Sequence, residues 1–172
     1  MRKQHKKIAI VGCAGSGKTT LAIKLKEKLK LPLYHLDLFY WSPGWQRIGL
    51  DKFTKIHNEL CDQKEWIIEG SYIKVLDYRA LQADVLIFLD LPRYQCLLNV
   101  FKRLILNLGK VMADSPKNCP QRFNLEFIKW VWDFNKRNKQ MILEILDNYS
   151  HKEVYILRSF KKMDILLNML LY

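Results

Sequence analysis

An α/β fold with a parallel sheet between two layers of helices is what the 172-residue sequence predicts, and three observations predict it. Short, apolar, β-rich runs alternate with longer segments of helical period, which calls for right-handed crossovers and a sheet covered on both faces. The first apolar run, Ile8-Ala9-Ile10-Val11, passes through a glycine-rich turn directly into a helix-like segment over 20–30. No repeat or low-complexity linker interrupts the chain, so residues 1–172 read as one domain, long enough to bury a proper core.

The elements follow in order. Residues 7–11 read as a short buried parallel strand. The first helix places Leu21, Leu25 and Leu29 on one face and Lys24, Glu27 and Lys28 outside, and Pro32 stops it by disfavouring helix at Leu31. Leu33-Tyr34-His35-Leu36 is a second strand ending at Asp37. An aromatic stretch with a Pro43-Gly44 turn at its centre follows, suited either to walling a pocket or to packing on the core. His35 has the same two readings, core histidine or site residue. Asp51 is placed to cap a helix reaching about Asp62, with Phe53, Ile56 and Leu60 as its face. Glu65-Trp66-Ile67-Ile68 gives a third strand, ending at Glu69-Gly70-Ser71-Tyr72; a short helix over 75–81 precedes the fourth strand, 84–90. From 93 to 108 the helical period puts Tyr94, Leu97, Leu98, Phe101, Leu104, Ile105 and Leu108 on one stripe, and Gly109 ends the helix. Residues 110–121 read as a loop and 124–149 as a second long helix. A fifth strand over 154–157, a turn at Arg158-Ser159 and a helix over 160–171 complete the chain.

The turn after the first strand carries the chemistry. Gly12-Cys13-Ala14-Gly15-Ser16-Gly17-Lys18-Thr19 has the spacing G-x-x-x-x-G-K-T, the phosphate-binding loop of nucleoside triphosphate enzymes. Glycines let the backbone N–H groups converge on anionic oxygens, and the next helix, opening with Thr20, adds the positive end of its dipole. Lys18 reaches for the terminal phosphates, and the Thr19 hydroxyl suits Mg²⁺. In a parallel sheet ligands gather at the carboxyl ends of the strands. The phosphate loop, Asp37, Glu69, Asp90 and Arg158 all fall at such ends, and a strand-end carboxylate such as Glu69 is the usual partner for hydrated Mg²⁺.

Composition narrows the classes. The net charge is +12, and its excess is concentrated. The first seven residues carry four Lys/Arg and no acid, while residues 93–139 carry ten against three. The first group reads as a solvated tail; the second, on a helix–loop–helix, reads as a lid that closes cations over polyphosphate. No run reaches the length of a membrane span. The basic start followed by a few apolar residues breaks off at the phosphate loop, so no export signal is read. Cys13, Cys61, Cys96 and Cys119 lack paired metal spacing and read as free thiols, which places the protein in the cytoplasm.

Taken together, the phosphate loop, Tyr34-His35-Leu36-Asp37, Trp41 with Pro43-Gly44-Trp45, Trp66-Ile67-Ile68-Glu69-Gly70-Ser71-Tyr72 and Ile87-Phe88-Leu89-Asp90-Leu91-Pro92-Arg93 resemble the family of DNA topology modulation proteins, small adenylate-kinase-like P-loop proteins. Cys119-Pro120-Gln121-Arg122-Phe123 and Leu157-Arg158-Ser159 extend the likeness over almost the whole chain. The resemblance implies a nucleoside-monophosphate-kinase sheet of strand order 2-3-1-4-5, with ATP and Mg²⁺ and no defined substrate. The chain departs from the family pattern at Glu69, where Asp is usual, and at Ser71, where Asn is usual. Related kinases also often carry a lid arginine where this chain has Asn99, which leaves Arg103 as the better candidate.

Two functions remain in view. The first is ATP-dependent phosphoryl transfer to a nucleotide or other small hydroxyl or phosphate acceptor. Its catalytic residues are Lys18, Asp37, Arg103 and Arg137, within a lid over 103–137. The triphosphate lies on Gly12 to Thr20, Arg158 borders the adenine, Thr19 and Glu69 hold the metal, and Asp37, Trp41, Trp45 and Arg122 meet the acceptor. The second is a nucleic-acid-binding regulator switched by ATP, with a polynucleotide 5′-hydroxyl kinase between the two. The lid position of the charge and the absence of a nucleic-acid-binding signature favour the first.

Overall fold

The computed structural model describes residues 5–112 and 115–170. The first four residues of the basic tail, and residue 171 of the last predicted helix, lie outside the described residues.

Strand β1 (Lys7–Gly12) is followed by α1 (Lys18–Leu29), and β2 (Leu33–His35) by a single helical turn, Asp37–Tyr40. A two-stranded ribbon pairs Trp41–Ser42 with Gln46–Arg47 around the Pro43-Gly44 turn. Next come α2 (Leu50–Cys61), β3 (Trp66–Glu69), α3 (Leu76–Gln82) and β4 (Val85–Leu89). The remaining elements are α4 (Arg93–Asn107), α5 (Leu125–Asn148), β5 (Glu153–Leu157) and α6 (Phe160–Met169). The five strands form one parallel sheet in the order 2-3-1-4-5, as expected. Buried on both faces, β1, β3 and β4 are apolar apart from Lys7 at the start of β1 and Glu69 at the end of β3, whereas β5 at the edge is half exposed.

Register decides what meets at the carboxyl rim. Ile10 and His35 both pair with Glu69, Gly12 pairs with Leu89, and Leu89 with Leu157. The strands therefore end side by side, and the phosphate loop, Asp37, Glu69, Asp90 and Arg158 leave the sheet along one edge.

Local signals explain most boundaries. Lys30 takes the left-handed conformation (φ 59°) and returns its N–H to Lys26 O, closing α1 before Pro32. Asn124 caps α5, its side chain accepting the Phe127 N–H, and Ser159 caps α6 through the Lys162 N–H. Asp51 is not the cap expected of it. α2 starts at Leu50 behind Gly49, and Asp51 lies in the first turn, where it meets the helix dipole instead.

The α4 stripe turns mostly away from the core, only its margin at Leu97 packing against it. Tyr94, Leu98, Phe101, Ile105 and Leu108 face outward and are exposed, while Cys96 and Val100 are buried. The physical reason is that the opposite face, with Asn99 and Arg103, is turned toward the phosphate loop.

Candidate active site

The phosphate loop is built from contacts that leave no room for larger residues. Gly15 has φ +76°, and a Cβ there would lie 2.2 Å from the carbonyl oxygen of Cys96 on α4. Gly12 is similarly confined, its Cβ position lying 2.8 Å from Leu89 O on β4. Within the loop Ser16 N–H donates to Cys13 O at 3.2 Å, and Lys18 Nζ folds back onto the same carbonyl at 2.9 Å. The Asn99 side-chain amide donates to Gly15 O at 2.8 Å, and the Ser71 hydroxyl to Gly12 O. Asn99 and Ser71 thus both brace the loop's own carbonyls.

The Cys13 thiol is held far above its ordinary pKa, by its hydrogen bond to Cys96 first and by burial second. It stays protonated within the loop. All four cysteines are free and buried.

Next to the loop a carboxylate is held charged inside the protein. Thr19 Oγ1 donates to Glu69 Oε1 at 3.1 Å, and His35 Nδ1 lies 2.8 Å from the same oxygen. Burial pushes the Glu69 carboxyl up. The His35 hydrogen bond, the charges of Lys18 and His35, and the Thr19 hydroxyl together outweigh burial and bring it below the ordinary value. A fully buried arginine holds the chain just beyond it: Arg79 Nη2 donates to Gly70 O at 2.9 Å. Burial lowers the Arg79 pKa to about 10, so the guanidinium is still charged at neutral pH.

Two adjacent oxygen donors, one anionic, suit a hard divalent cation that keeps most of its waters. Among the described residues no group of three or more His, Cys, Asp or Glu gathers as a metal cage. The Thr19 hydroxyl and the Glu69 carboxylate are hard oxygen donors of the kind that Mg²⁺ takes together with phosphate oxygens and water.

Across the rim Asp37 is exposed in the turn after β2 and accepts a hydrogen bond from Tyr72 Oη at 2.5 Å. Burial and the Asp37 charge push the Tyr72 pKa far up, so this phenol keeps its proton and donates. Beside it Trp41 is half-buried, stacked edge-on to Tyr40 and Trp45, with the Arg47 guanidinium over its ring at 5.7 Å.

Trp45 joins the ribbon to the loop between α4 and α5. Its Nε1–H donates to Pro120 O at 3.1 Å and its backbone N–H meets Cys119 Sγ at 3.4 Å, while Gly44 N–H donates to Asn118 O at 3.2 Å. The two ends of that loop are themselves joined, Gly109 N–H to Gln121 O and Gln121 N–H to Lys110 O. Arg122, next along, is exposed.

The remaining cations divide by partner. Arg103 lies half-buried on the inner face of α4, one turn beyond Asn99, with its Nε buried and unbonded. Arg137 pairs with Asp133 at 3.4 Å on the exposed side of α5. The buried Asp90 carboxylate accepts from Lys139 of α5 at 2.8 Å and from Arg158 at 3.4 Å. Arg158 is otherwise exposed, and a small cleft of about 160 Å³ is bordered by Gly17, Thr20, Phe160 and Met163.

Sequence reasoning assigned no site role to Lys139, Tyr72 or Arg79. Lys139 sits in the polar middle of a long helix, where one cation looks like its neighbours. Tyr72 could have been found, since it follows Glu69 by three residues at the same strand end.

No family model matches the chain, and no curated protein does. Among solved structures, the shikimate kinase of Acinetobacter baumannii, determined with shikimate, is similar over 96% of this chain and 90% of its own. The identity is 19% and the TM-score 0.66. The shikimate kinase of Aquifex aeolicus is similar over 96% and 93%, at 17% identity and a TM-score of 0.50. At this level the likeness shows a shared fold, the parallel α/β sheet of the P-loop kinase type.

Proposed function

We propose that this chain is a P-loop kinase that transfers the terminal phosphoryl group of ATP to a small acceptor bearing a hydroxyl or phosphate. The observation that carries the reading is the charged, buried Glu69 held 3.1 Å from the Thr19 hydroxyl at the foot of the phosphate loop. A carboxylate is kept ionised in the interior at a cost, and a phosphate-bound cation is what it best serves.

The backbone amides of residues 12–19 bind the triphosphate at the N-terminus of α1. Lys18 exchanges the Cys13 carbonyl for β- and γ-phosphate oxygens and neutralises charge on the transferred group. Thr19 and Glu69 would hold Mg²⁺, which when bound supplies charge neutralisation at the phosphates. Arg103, on the face of α4 turned to the loop, adds positive charge, and Arg137 joins it when the 103–137 lid closes and its Asp133 pairing is given up. Asp37, oriented by Tyr72, receives or orients the acceptor hydroxyl. That oxygen forms the new P–O bond, the bond to the ADP oxygen breaks, and the proton leaves by Asp37. Trp41, Trp45 and Arg122 border the acceptor. Arg158 borders the adenine.

The alternative, a nucleic-acid regulator switched by ATP, draws on the family resemblance and the basic charge. Part of that charge is already engaged: Lys139 and Arg158 by Asp90, Arg137 by Asp133, and Arg93 by the Trp132 ring at 3.9 Å. The kinase reading therefore stands first. It is tested by ADP release from ATP and Mg²⁺ in the presence of nucleosides, nucleotides, shikimate and other small alcohols. At least one acceptor should raise turnover above background, and Lys18→Ala should abolish the increase. Full activity in the Lys18→Ala protein, or saturable DNA binding with a steep salt dependence and no acceptor-stimulated turnover, would overturn it.

A further inference from the structure

Helix α4 is amphipathic in the reverse of the usual sense. Its inner face carries the polar Asn99 and Arg103 beside Cys96 and Val100, and Asn99 is hydrogen-bonded to the phosphate loop. Its outer face carries Tyr94, Leu98, Phe101 and Ile105, continued by Leu108 just past the helix end. Leu98 is 66% exposed and Ile105 77%. These five residues are spaced by four, three, four and three, the repeat of a helix–helix seam rather than of scattered surface residues.

A large apolar side chain presents on the order of 200 Å² when fully exposed. The stripe therefore leaves about 600 Å² of largely apolar surface in contact with solvent, at the upper end of the roughly 300–600 Å² of the largest patch on a typical monomer. That area is close to the ~800 Å² each partner contributes to a standard interface.

We propose that this face of α4 is the seam of a twofold homodimer, covered by the same face of a second copy running antiparallel. The stripe is its own complement about Phe101. A twofold axis there sets Phe101 against Phe101, Leu98 against Ile105, and Tyr94 against Leu108, which is the condition for an isologous contact. Charge favours the same occupant. Among the exposed residues of α4 only Lys102 and the ring-stacked Arg93 are charged, so two copies meet with little repulsion. A membrane-bound helix would need its polar face rimmed with cations and open to headgroups. Here that face is turned to the phosphate loop.

Sedimentation velocity of the full chain, from about 1 to 100 µM, tests the proposal. The expected species is about 41 kDa, twice the 20.6 kDa of one chain. Leu98→Glu and Ile105→Lys sit at exposed positions that folding tolerates, as circular dichroism should verify, and each should weaken association at least about tenfold. Combined in one chain they should restore it, because the introduced carboxylate faces the introduced ammonium across the axis twice. A wild-type chain that stays monomeric overturns the proposal, whether or not it sediments with anionic vesicles. So does a dimer indifferent to both substitutions, or a double variant no more associated than the single ones.

Discussion

Burial and charge pull in opposite directions at Glu69, and charge wins because His35, Lys18 and Thr19 converge on one carboxylate. Glu69→Gln keeps the shape and the hydrogen bond from Thr19 but removes the anion. It should weaken the magnesium dependence of ATP binding by about tenfold or more while leaving the fold intact, as titrations at fixed ATP and varied Mg²⁺ would show. The acid response of the fold belongs to a different residue. His57 is fully buried on α2, and burial together with the Arg79 charge lowers its pKa to about 4 from an ordinary 6.5. Below 6.5 the unfolded chain takes up a proton that the folded chain refuses. Stability is therefore full above about pH 6.5 and falls as the pH drops toward 4, by at most about 3 kcal/mol. Glu69, with its pKa lowered, contributes nothing to that loss until the pH falls below its ordinary value of 4.5. Urea midpoints between pH 7 and 4.5 should decline in the wild type and much less in His57→Leu; equal slopes would refute the assignment. His35 illustrates why sequence left site residues open. Its place on a strand is compatible with core or site, and only the register that sets it opposite Glu69 decides.

The helices and loops around the phosphate loop are tied to it by backbone rather than by bulky side chains. Gly15→Ala would drive a methyl group into the Cys96 carbonyl at a positive φ. The change should cost at least about 2 kcal/mol, or roughly 4–8 °C in Tm for a chain of this size, and should weaken ATP binding as well. On the other side of the rim, the ribbon and the loop after α4 are joined through Trp45. Trp45→Phe retains the ring packing and removes the bond to Pro120 O, worth about 1 kcal/mol. Hydrogen exchange of the Cys119 and Gln121 amides should quicken about fivefold, with β1 and β4 unchanged. Boundaries at this scale were legible wherever a breaker or a capping side chain acts on its own neighbours, as near Pro32, Asn124 and Ser159. Asp51 misled because Gly49 takes the cap position two residues earlier. The α4 stripe was found by its period, but periodicity gives the face and not its direction. An apolar stripe reads as buried by default, and here the polar face had the prior claim on the interior.

For the whole molecule, the alternation of strand and helix was enough to give a parallel sheet, and the family resemblance supplied its order. Register then brought five strand ends into line, which is why Asp37, Glu69, Asp90 and Arg158 could be grouped from sequence alone. Their pairings could not. The Asp90 cluster joins residues 90, 139 and 158, and no local rule links positions so far apart. Ten cations against three acids over 93–139 marked that segment as special without showing that several cations were already spent on Asp90, Asp133 and an indole ring. Among the described residues no helix is long and apolar enough to cross a membrane. The central claim is that backbone amides at the start of α1, with Lys18, Thr19 and Glu69, hold a magnesium-bound triphosphate. Isothermal calorimetry with ATP and with its non-hydrolysable analogue, each with and without Mg²⁺, tests it most directly. Saturable heat that grows with magnesium and vanishes in Lys18→Ala is the predicted result; no magnesium-dependent heat, or equal heat in the variant, would contradict the account.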